Sequence, residues 1–357
     1  MSSYLRSNPY PILLILGTAL LFFSSQTVAA KDEVTIAVLY WSVNIPGQVA
    51  MAKGLEKKVD ALNQRAEANE LPHIKLITRV AGDDIKGVER QIVQMTKIIS
   101  LKPDMIIVQP TDNAALAEPL KLANKHNIPV VAYDQYISGG KLTAYVTSNN
   151  HQAGYLNGEY VASLYPSKQK IKLILVEYPL VSSTVERLNG FLDALRDYKQ
   201  SYQILNTYQA VEPVSGTKAG KAIIADFPEQ GSIDVIFTVN DGGGLNVVNE
   251  LVAAGRNEIV VATVDGDPAS VKNIQAGRLT HIDTAQFCGA MGAQALLIAY
   301  DILLGQTVPS LTLIPVYPIT QKTLINYPGW SGNIPQTFKK PWLSHQPYWN
   351  NKFKLTP

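Results

Sequence analysis

Two aspartates, Asp134 and Asp265, close two stretches of this chain that read almost as copies of each other. Thr111-Asp112 opens a segment that runs through Asn127-Ile128-Pro129-Val130-Val131 to Asp134, and Asn240-Asp241 opens a second that runs through Asn257-Glu258-Ile259-Val260-Val261 to Asp265. Each copy is a polar turn, an apolar-periodic helix, a buried strand and a carboxylate at the strand's end. A carboxylate there is a strong acceptor for the donors of a polar ligand. Ligands of open α/β sheets sit outside the carboxyl ends of the strands. The repeat therefore implies two similar α/β lobes whose strand ends face a common cleft.

The elements that must hold these residues follow from the apolar pattern. Residues 34–40 form a β-branched run that predicts a strand, and 46–68 predict a helix with Val49, Leu55, Val59 and Leu62 on one face. A strand is expected at 74–80, then a helix from Asp83/Asp84, acidic residues suited to its N-terminal dipole, to about Ser100. The continuous apolar run 105–108 between Pro103 and Pro110 predicts a buried parallel strand. A helix over 113–126 and a strand over 129–133 complete a β-α-β-α-β-α-β series, the pattern of a doubly wound sheet. The polar segment Thr147-Ser148-Asn149-Asn150-His151 then breaks the alternation, so 145–153 is expected to cross between lobes. The alternation restarts with a helix to about 164 and a strand at 171–176. The next helix is expected from Ser183, which has capping-box spacing to Glu186, followed by a strand at 202–208 and a helix to 225. Strands at 235–239 and 259–264 flank a helix opened by Asp241, whose place between strand and helix predicts an N-cap. A short strand at 279–282 and a long helix at 287–304 end the series. From Pro328 on, Trp330, Trp342, Tyr348, Trp349 and five prolines argue against a regular core element and for a segment that wraps a lobe or meets a partner.

Composition bounds the function. The chain has 357 residues, room for two domains, and its 46% apolar and 17% charged content fits a protein with sizeable cores. A net charge of +2 without a basic run gives nucleic acid no footprint. Residues 1–30 predict a cleavable signal peptide: Arg6, an apolar run at 12–23 too short for a spanning helix, and small residues up to a cut after Ala30. The periplasm is the expected destination. One cysteine, Cys288, excludes an intrachain disulfide and sits in an apolar-periodic segment, so a buried, inert thiol is expected. Five scattered histidines show no metal-ligand spacing. No Gly-x-Ser-x-Gly elbow or Gly-x-Gly-x-x-Gly fingerprint appears, and Gly242-Gly243-Gly244 lacks the Lys of a phosphate loop. A secreted enzyme is the remote alternative. No enzyme activity, cofactor or metal is expected.

Five motifs fall in register: Val131-Ala132-Tyr133-Asp134, Glu186-Arg187-Leu188-Asn189-Gly190-Phe191, Val239-Asn240-Asp241, Val264-Asp265-Gly266-Asp267-Pro268 and Asp283-Thr284-Ala285-Gln286. In this order the chain resembles a type I periplasmic binding protein of the ribose/galactose-binding family from about Val34 to Ile319. The resemblance implies two doubly wound parallel-sheet lobes joined by a three-crossing hinge, with a ligand in the interlobe cleft. It implies lobes at 34–148 plus 287–317 and at 149–286 plus 318–327, a C-terminal extension at 328–357, and hinge positions near Asn149, Phe287 and Tyr317.

What the resemblance implies for the site makes chemical sense for a sugar, a ring of hydroxyls that both donate and accept. Asp134 and Asp265 would accept hydroxyl hydrogens, Arg187 would offer a fork of donors, and Asn240 and Gln286 would each supply donor and acceptor. Asn44 lies in the first loop, and Gln135 stands where the family often carries an arginine. The aromatic pair that such sugar binders place after an Asn-Pro step is absent. Trp41, or Tyr136 after Asp134, takes the expected stacking role. These departures argue against an unmodified pentose pyranose. The implied role is capture of a small polar ligand, most readily a sugar, by a monomer that delivers it to an inner-membrane ABC permease. The alternative partner is the periplasmic domain of a sensor kinase or chemoreceptor, as for quorum-signal or amine-oxide binders.

Overall fold

The computed structural model describes residues 32–82 and 86–356. The expected signal peptide and the Asp83/Asp84 helix start lie outside the described residues. The chain runs β1 (Glu33–Tyr40), α1 (Pro46–Asn69), β2 (His73–Val80), α2 (Gly87–Ser100), β3 (Met105–Val108), α3 (Ala117–Lys125), β4 (Val130–Tyr133) and β5 (Ala144–Ser148). It continues through α4 (Asn150–Leu164), β6 (Ile171–Glu177), α5 (Ser182–Asp197), β7 (Tyr202–Gln209), α6 (Pro213–Asp226), β8 (Val235–Thr238) and α7 (Asp241–Ala253). Then come β9 (Val260–Asp265), α8 (Pro268–Gln275), β10 (Thr280–Ala285), α9 (Cys288–Leu303), β11 (Leu311–Ile314), β12 (Tyr317–Ile319), β13 (Phe338–Lys339), β14 (Tyr348–Trp349) and β15 (Lys354–Thr356).

Two large sheets result among the described residues, ordered β15-β11-β5-β4-β3-β1-β2 and β12-β10-β9-β8-β6-β7, with β13 and β14 forming a small third. The pairings among β1 to β5 and among β6 to β10 are parallel, which is why β3, β4 and β8 are buried at every position: helices cover both faces. In the first sheet α1 and α9 pack together on one face and α2 with α3 on the other; in the second, α4 pairs with α5 and α6 with α7. The α4–α5 crossing is so close that a Cβ on Gly154 would stand 1.8 Å from the Arg187 carbonyl, and this contact fixes where Arg187 emerges.

The chain passes between the sheets after β5, after β10 and after β11. Residues 145–148, read from sequence as part of a polar crossing, belong to β5, a strand buried between β4 and β11; the change of sheet occurs at Ser148–Asn150. The helix expected over 113–126 is shorter, because Asp112 Oδ1 accepts the Ala114 and Ala115 amides in a separate turn before α3. The C-terminal extension holds more regular structure than expected. Its β13–β14 hairpin buries Trp349, whose Nε1 donates to the Val316 carbonyl at 2.6 Å, and β15 adds antiparallel to β11. Glu159 of α4 anchors it, accepting from Lys340 Nζ and Trp342 Nε1 at 2.7 Å, Ser344 Oγ at 2.8 Å and Tyr198 OH at 3.0 Å. The extension therefore starts on the second lobe and ends in the sheet of the first. No helix among the described residues is long and apolar enough to cross a membrane.

Candidate functional site

The two repeat aspartates occupy equivalent places at the ends of β4 and β9. Both have positive φ, 64° at Asp134 and 134° at Asp265, a backbone state that non-glycine residues adopt rarely and that concentrates at functional turns. At the second the turn needs Gly266: its φ is 77°, and a Cβ there would lie 2.4 Å from the Ala285 Cβ.

Between them lies a narrow cavity of about 50 Å³. Trp41, Asp134, Gln135, Arg187, Asn240, Asp265 and Gln286 all line it. Asn44 does not; it is exposed ahead of α1, its backbone N–H donates to Ser42 Oγ, and Ile45, Gly47 and Gln48 form that part of the wall. Of the two aromatics considered for stacking, Trp41 is on the wall, whereas Tyr136 is exposed and turns its ring edge-on to Tyr145. Cys288 is buried as a free thiol on the same wall, and burial pushes its pKa well up, keeping it protonated.

Side chains of the second lobe are tightly wired. Arg187 Nη1 donates to Asp265 Oδ1 at 2.9 Å and to the Val239 carbonyl at 3.0 Å, and its Nε donates to Asn150 Oδ1 at 3.0 Å. Gln286 Nε2 donates to the same Asp265 Oδ1 at 2.6 Å. The Asp265 carbonyl is held as well, by the Gln286 amide at 3.0 Å and Trp330 Nε1 at 2.6 Å. Asn240, not Asp241, is the N-cap of α7: its Oδ1 accepts the Gly243 amide at 3.2 Å and its Nδ2 donates to the Val211 carbonyl at 2.9 Å. Asp241 lies one residue inside the helix, fully buried.

The first lobe offers fewer partners. Gln109, at the end of β3, donates from Nε2 to Asp134 Oδ2 at 2.9 Å. The Asp134 carbonyl accepts Tyr145 OH at 3.0 Å and Thr147 Oγ1 at 2.9 Å. Burial holds the Asp134 carboxyl above its ordinary range, with the Gln109 hydrogen bond and the Arg187 charge pulling the other way. A hydrogen-bond relay joins the two walls through the first crossing: Arg187 to Asn150, Asn150 Nδ2 to Thr147 Oγ1 at 3.0 Å, and Thr147 to the Asp134 carbonyl. The polar run at 147–151 thus has a structural reason beyond lining a linker.

Across the mouth the lobes touch directly. Gln135 Nε2 donates to Ser183 Oγ at 2.9 Å, the Ser183 amide donates back to Gln135 Oε1 at 3.3 Å, and the Tyr136 amide reaches Ser182 Oγ at 3.2 Å. The expected Ser183–Glu186 capping box is therefore absent: α5 has Val181 as N-cap without a side-chain cap, and Ser183 serves the other lobe. Of the proposed hinge residues, Asn149 caps α4 by accepting the Gln152 amide, Phe287 precedes α9, and Tyr317 opens β12.

Sequence reading missed Gln109, Gln48 and Ser183. Gln109 carried a usable signal, since it ends a buried strand as Asp134 does. Two cavity acceptors, Gln48 Oε1 and Gln286 Oε1, are buried and find no donor among the described residues. Buried polar atoms are rarely left so.

The sequence profile of the periplasmic binding protein domain matches residues 36–307. The chain belongs to this family. It is 26% identical over 321 residues to the ribose import binding protein RbsB of Escherichia coli, covering 87% of this chain and 97% of that protein. The Bacillus subtilis protein of the same name is 25% identical over 82% of this chain and 89% of its own. Among solved structures, a solute-binding protein of Actinobacillus succinogenes with bound D-allose superposes with a TM-score of 0.69 at 24% identity, covering 83% of this chain and all of that one. One from Bacillus halodurans with bound myo-inositol gives 0.71 at 22% identity, covering 84% and 99%. Both share the two-lobed α/β fold.

Proposed function

We propose that this binding protein works in the periplasm as a monomer, captures a small polyhydroxylated solute, a sugar or sugar-like polyol, in the interlobe cavity and delivers it to an inner-membrane ABC permease. The observation that carries this reading is the pair of unmatched acceptors, Gln48 Oε1 and Gln286 Oε1, set among Asp134, Asp265 and Arg187. A polyol supplies both kinds of partner, since each hydroxyl donates to a carboxylate or amide oxygen and accepts from an amide or guanidinium. A solute carrying a net charge suits the wall less well: the Arg187 cation is already matched by Asp265. The names of the relatives, ribose import binding proteins, support the transport role.

The cycle that fits is lobe closure about the crossings near Asn149, Phe287 and Tyr317. The Gln135–Ser183 and Tyr136–Ser182 contacts then seal the mouth, and a permease reads the sealed form. Trp342 and Trp349 of the aromatic extension are engaged by Glu159 and the Val316 carbonyl, so these two rings lend no separate support to a sensor partner.

A thermal-shift screen of pyranoses, furanoses, cyclic polyols and small amine oxides tests the ligand class, with calorimetry on any hit. Asp265→Ala should weaken binding of the hit by about 10- to 100-fold, because a buried hydroxyl loses its acceptor. Stabilisation by amine oxides alone, or unchanged affinity in that variant, would sink the proposal.

A further inference from the structure

Behind the Asp265 turn lies a second set of acids that touches no cavity atom. The Gly266 amide donates to Asp283 Oδ1 at 2.9 Å and the Asp267 amide to Asp241 Oδ2 at 2.8 Å, so the turn hangs on two carboxylates. Thr263 Oγ1 donates to Asp241 Oδ1 at 2.8 Å, itself fixed by Thr238 Oγ1 at 2.7 Å. Asp241 and Asp283 are 2% and 0% exposed and accept the amides of two consecutive residues, which places both carboxyls behind one turn. Asp283 Oδ2 and Ser270 Oγ are both buried without a hydrogen bond of full geometry among the described residues, and the Ser270 hydroxyl faces Asp283.

Two ionised carboxylates offer only acceptors to each other. Their contact becomes a hydrogen bond when one proton lies between them, and like charges in low dielectric drive the pair to keep that proton. We propose that Asp241 and Asp283 share one proton at neutral pH, and that this acid pair is a positioning device that sets the Asp265–Gly266–Asp267 turn.

The surroundings favour retention of the proton. Facing the pair are Asp265 at the end of β9, Asp267 and the Ser270 hydroxyl at the start of α8, and Tyr327 after the 3-10 turn Leu324–Asn326. The cation of this neighbourhood, Arg187 on α5, is directed at Asp265 Oδ1 and the Val239 carbonyl. Burial, first, and then the Asp283 and Asp265 charges hold Asp241 well above the carboxylate range, and burial pushes Asp283 up to about 7. Tyr327, its pKa raised by burial, remains a neutral hydroxyl that donates to the Gly266 carbonyl at 3.2 Å. The sign follows: the unfolded chain releases both protons near pH 4, whereas the folded pair gives up the first as pH rises through about 7 and keeps the shared one above it, so the first proton's contribution is complete at low pH and is lost through about 7.

Trp330 supplies a reporter, because its indole N–H is bonded to the Asp265 carbonyl. The nitrogen-proton resonance of that indole, assigned with Trp330→Phe, should titrate across neutrality in the ligand-free protein. In Asp283→Asn the amide supplies a permanent donor to Asp241, so the titration should vanish and the melting temperature should cease to fall over the same range. The measurement needs no ligand, so a failure of the sugar reading leaves it standing. An indole resonance that does not titrate in the wild type, or that titrates identically in Asp283→Asn, overturns the proposal. If Asp283→Asn does not fold, the infrared band of a protonated carboxyl decides it: the band should diminish through neutrality in the wild type and be smaller in Asp241→Asn. A wild-type band constant through neutrality overturns it equally.

Discussion

The two walls of the cavity start from the same sequence pattern and end in different electrostatics. On the second lobe Asp265 faces a guanidinium, an amide and two hydrogen bonds to its carbonyl, and its turn hangs on two further acids. On the first lobe Asp134 has Gln109 as its neutral side-chain donor and lies deeper, so burial dominates its titration. The second wall is charge-paired; the first presents a buried carboxylate held by a neutral donor. The order this predicts for a closing cleft is docking on the second wall first, with Asp134 reached on closure.

The strongest way to break this contrast is to remove the cation that defines the second wall. Arg187→Met should destabilise the protein by about 3–5 kcal/mol, since Asp265 and the Val239 carbonyl lose their buried partner. Calorimetric melting measures it. Removing the charges together, in Arg187→Met with Asp265→Leu, should restore much of the stability but not ligand binding. A double variant as unstable as the single one would mean that the arginine acts through packing rather than charge.

A change in the relay tests whether the walls act independently. Asn150→Ala removes the bridge between Arg187 Nε and Thr147 Oγ1 and leaves a buried guanidinium N–H unmatched, a loss of about 1–3 kcal/mol. It should also weaken the coupling between variants at Asp265 and Asp134. A double-mutant cycle run with and without Asn150 measures that coupling; an unchanged interaction energy would confine the relay to stability.

Asp134→Asn should act in the opposite direction to Arg187→Met. The folded pKa of Asp134 is raised by burial, so its share of stability is present at low pH and lost as pH rises through the folded value. At neutral pH the neutral amide should therefore raise the melting temperature of the ligand-free protein slightly while reducing affinity for any polyol found in the screen. A lower melting temperature at neutral pH would show that the two aspartates are more alike than their surroundings suggest.

Much of this was legible in the chain, for reasons that differ from residue to residue. The strands β3, β4 and β8 announced themselves because parallel strands buried on both faces read as near-continuous apolar runs. Asp134, Asp265, Gln286 and Arg187 were legible because strand ends and family motifs mark them. Legibility failed where one side chain had two physical options. Ser183 had the spacing to cap its own helix but bonds Gln135 across the cleft. Asn240 and Asp241 are both good caps, and a one-residue difference decides which caps the helix on the cavity wall and which lies behind it in the core. β5 was hidden because Thr147 and Ser148 are polar yet fully buried, their environment set by β11 some 160 residues away. The aromatic extension seemed irregular because Trp349 packs on Tyr317 and Phe338, a contact with no local periodicity.

The smallest expected effect concerns the seam where the two walls meet. Gln135 is the residue that departs from the arginine common at this place, and it makes two bonds with Ser183. Both are neutral, so Gln135→Ala should weaken closure by about 1 kcal/mol, with little change in melting temperature. The expected result is a ligand off-rate raised about fivefold with the on-rate nearly unchanged, since the lobes must part for release but not for docking. Stopped-flow fluorescence on a variant retaining Trp41 alone, after Trp330, Trp342 and Trp349 are replaced by Phe, separates the two rates. If Gln135→Ala instead slows association, the residue belongs to the docking surface, and the first wall takes part in capture from the start rather than after closure.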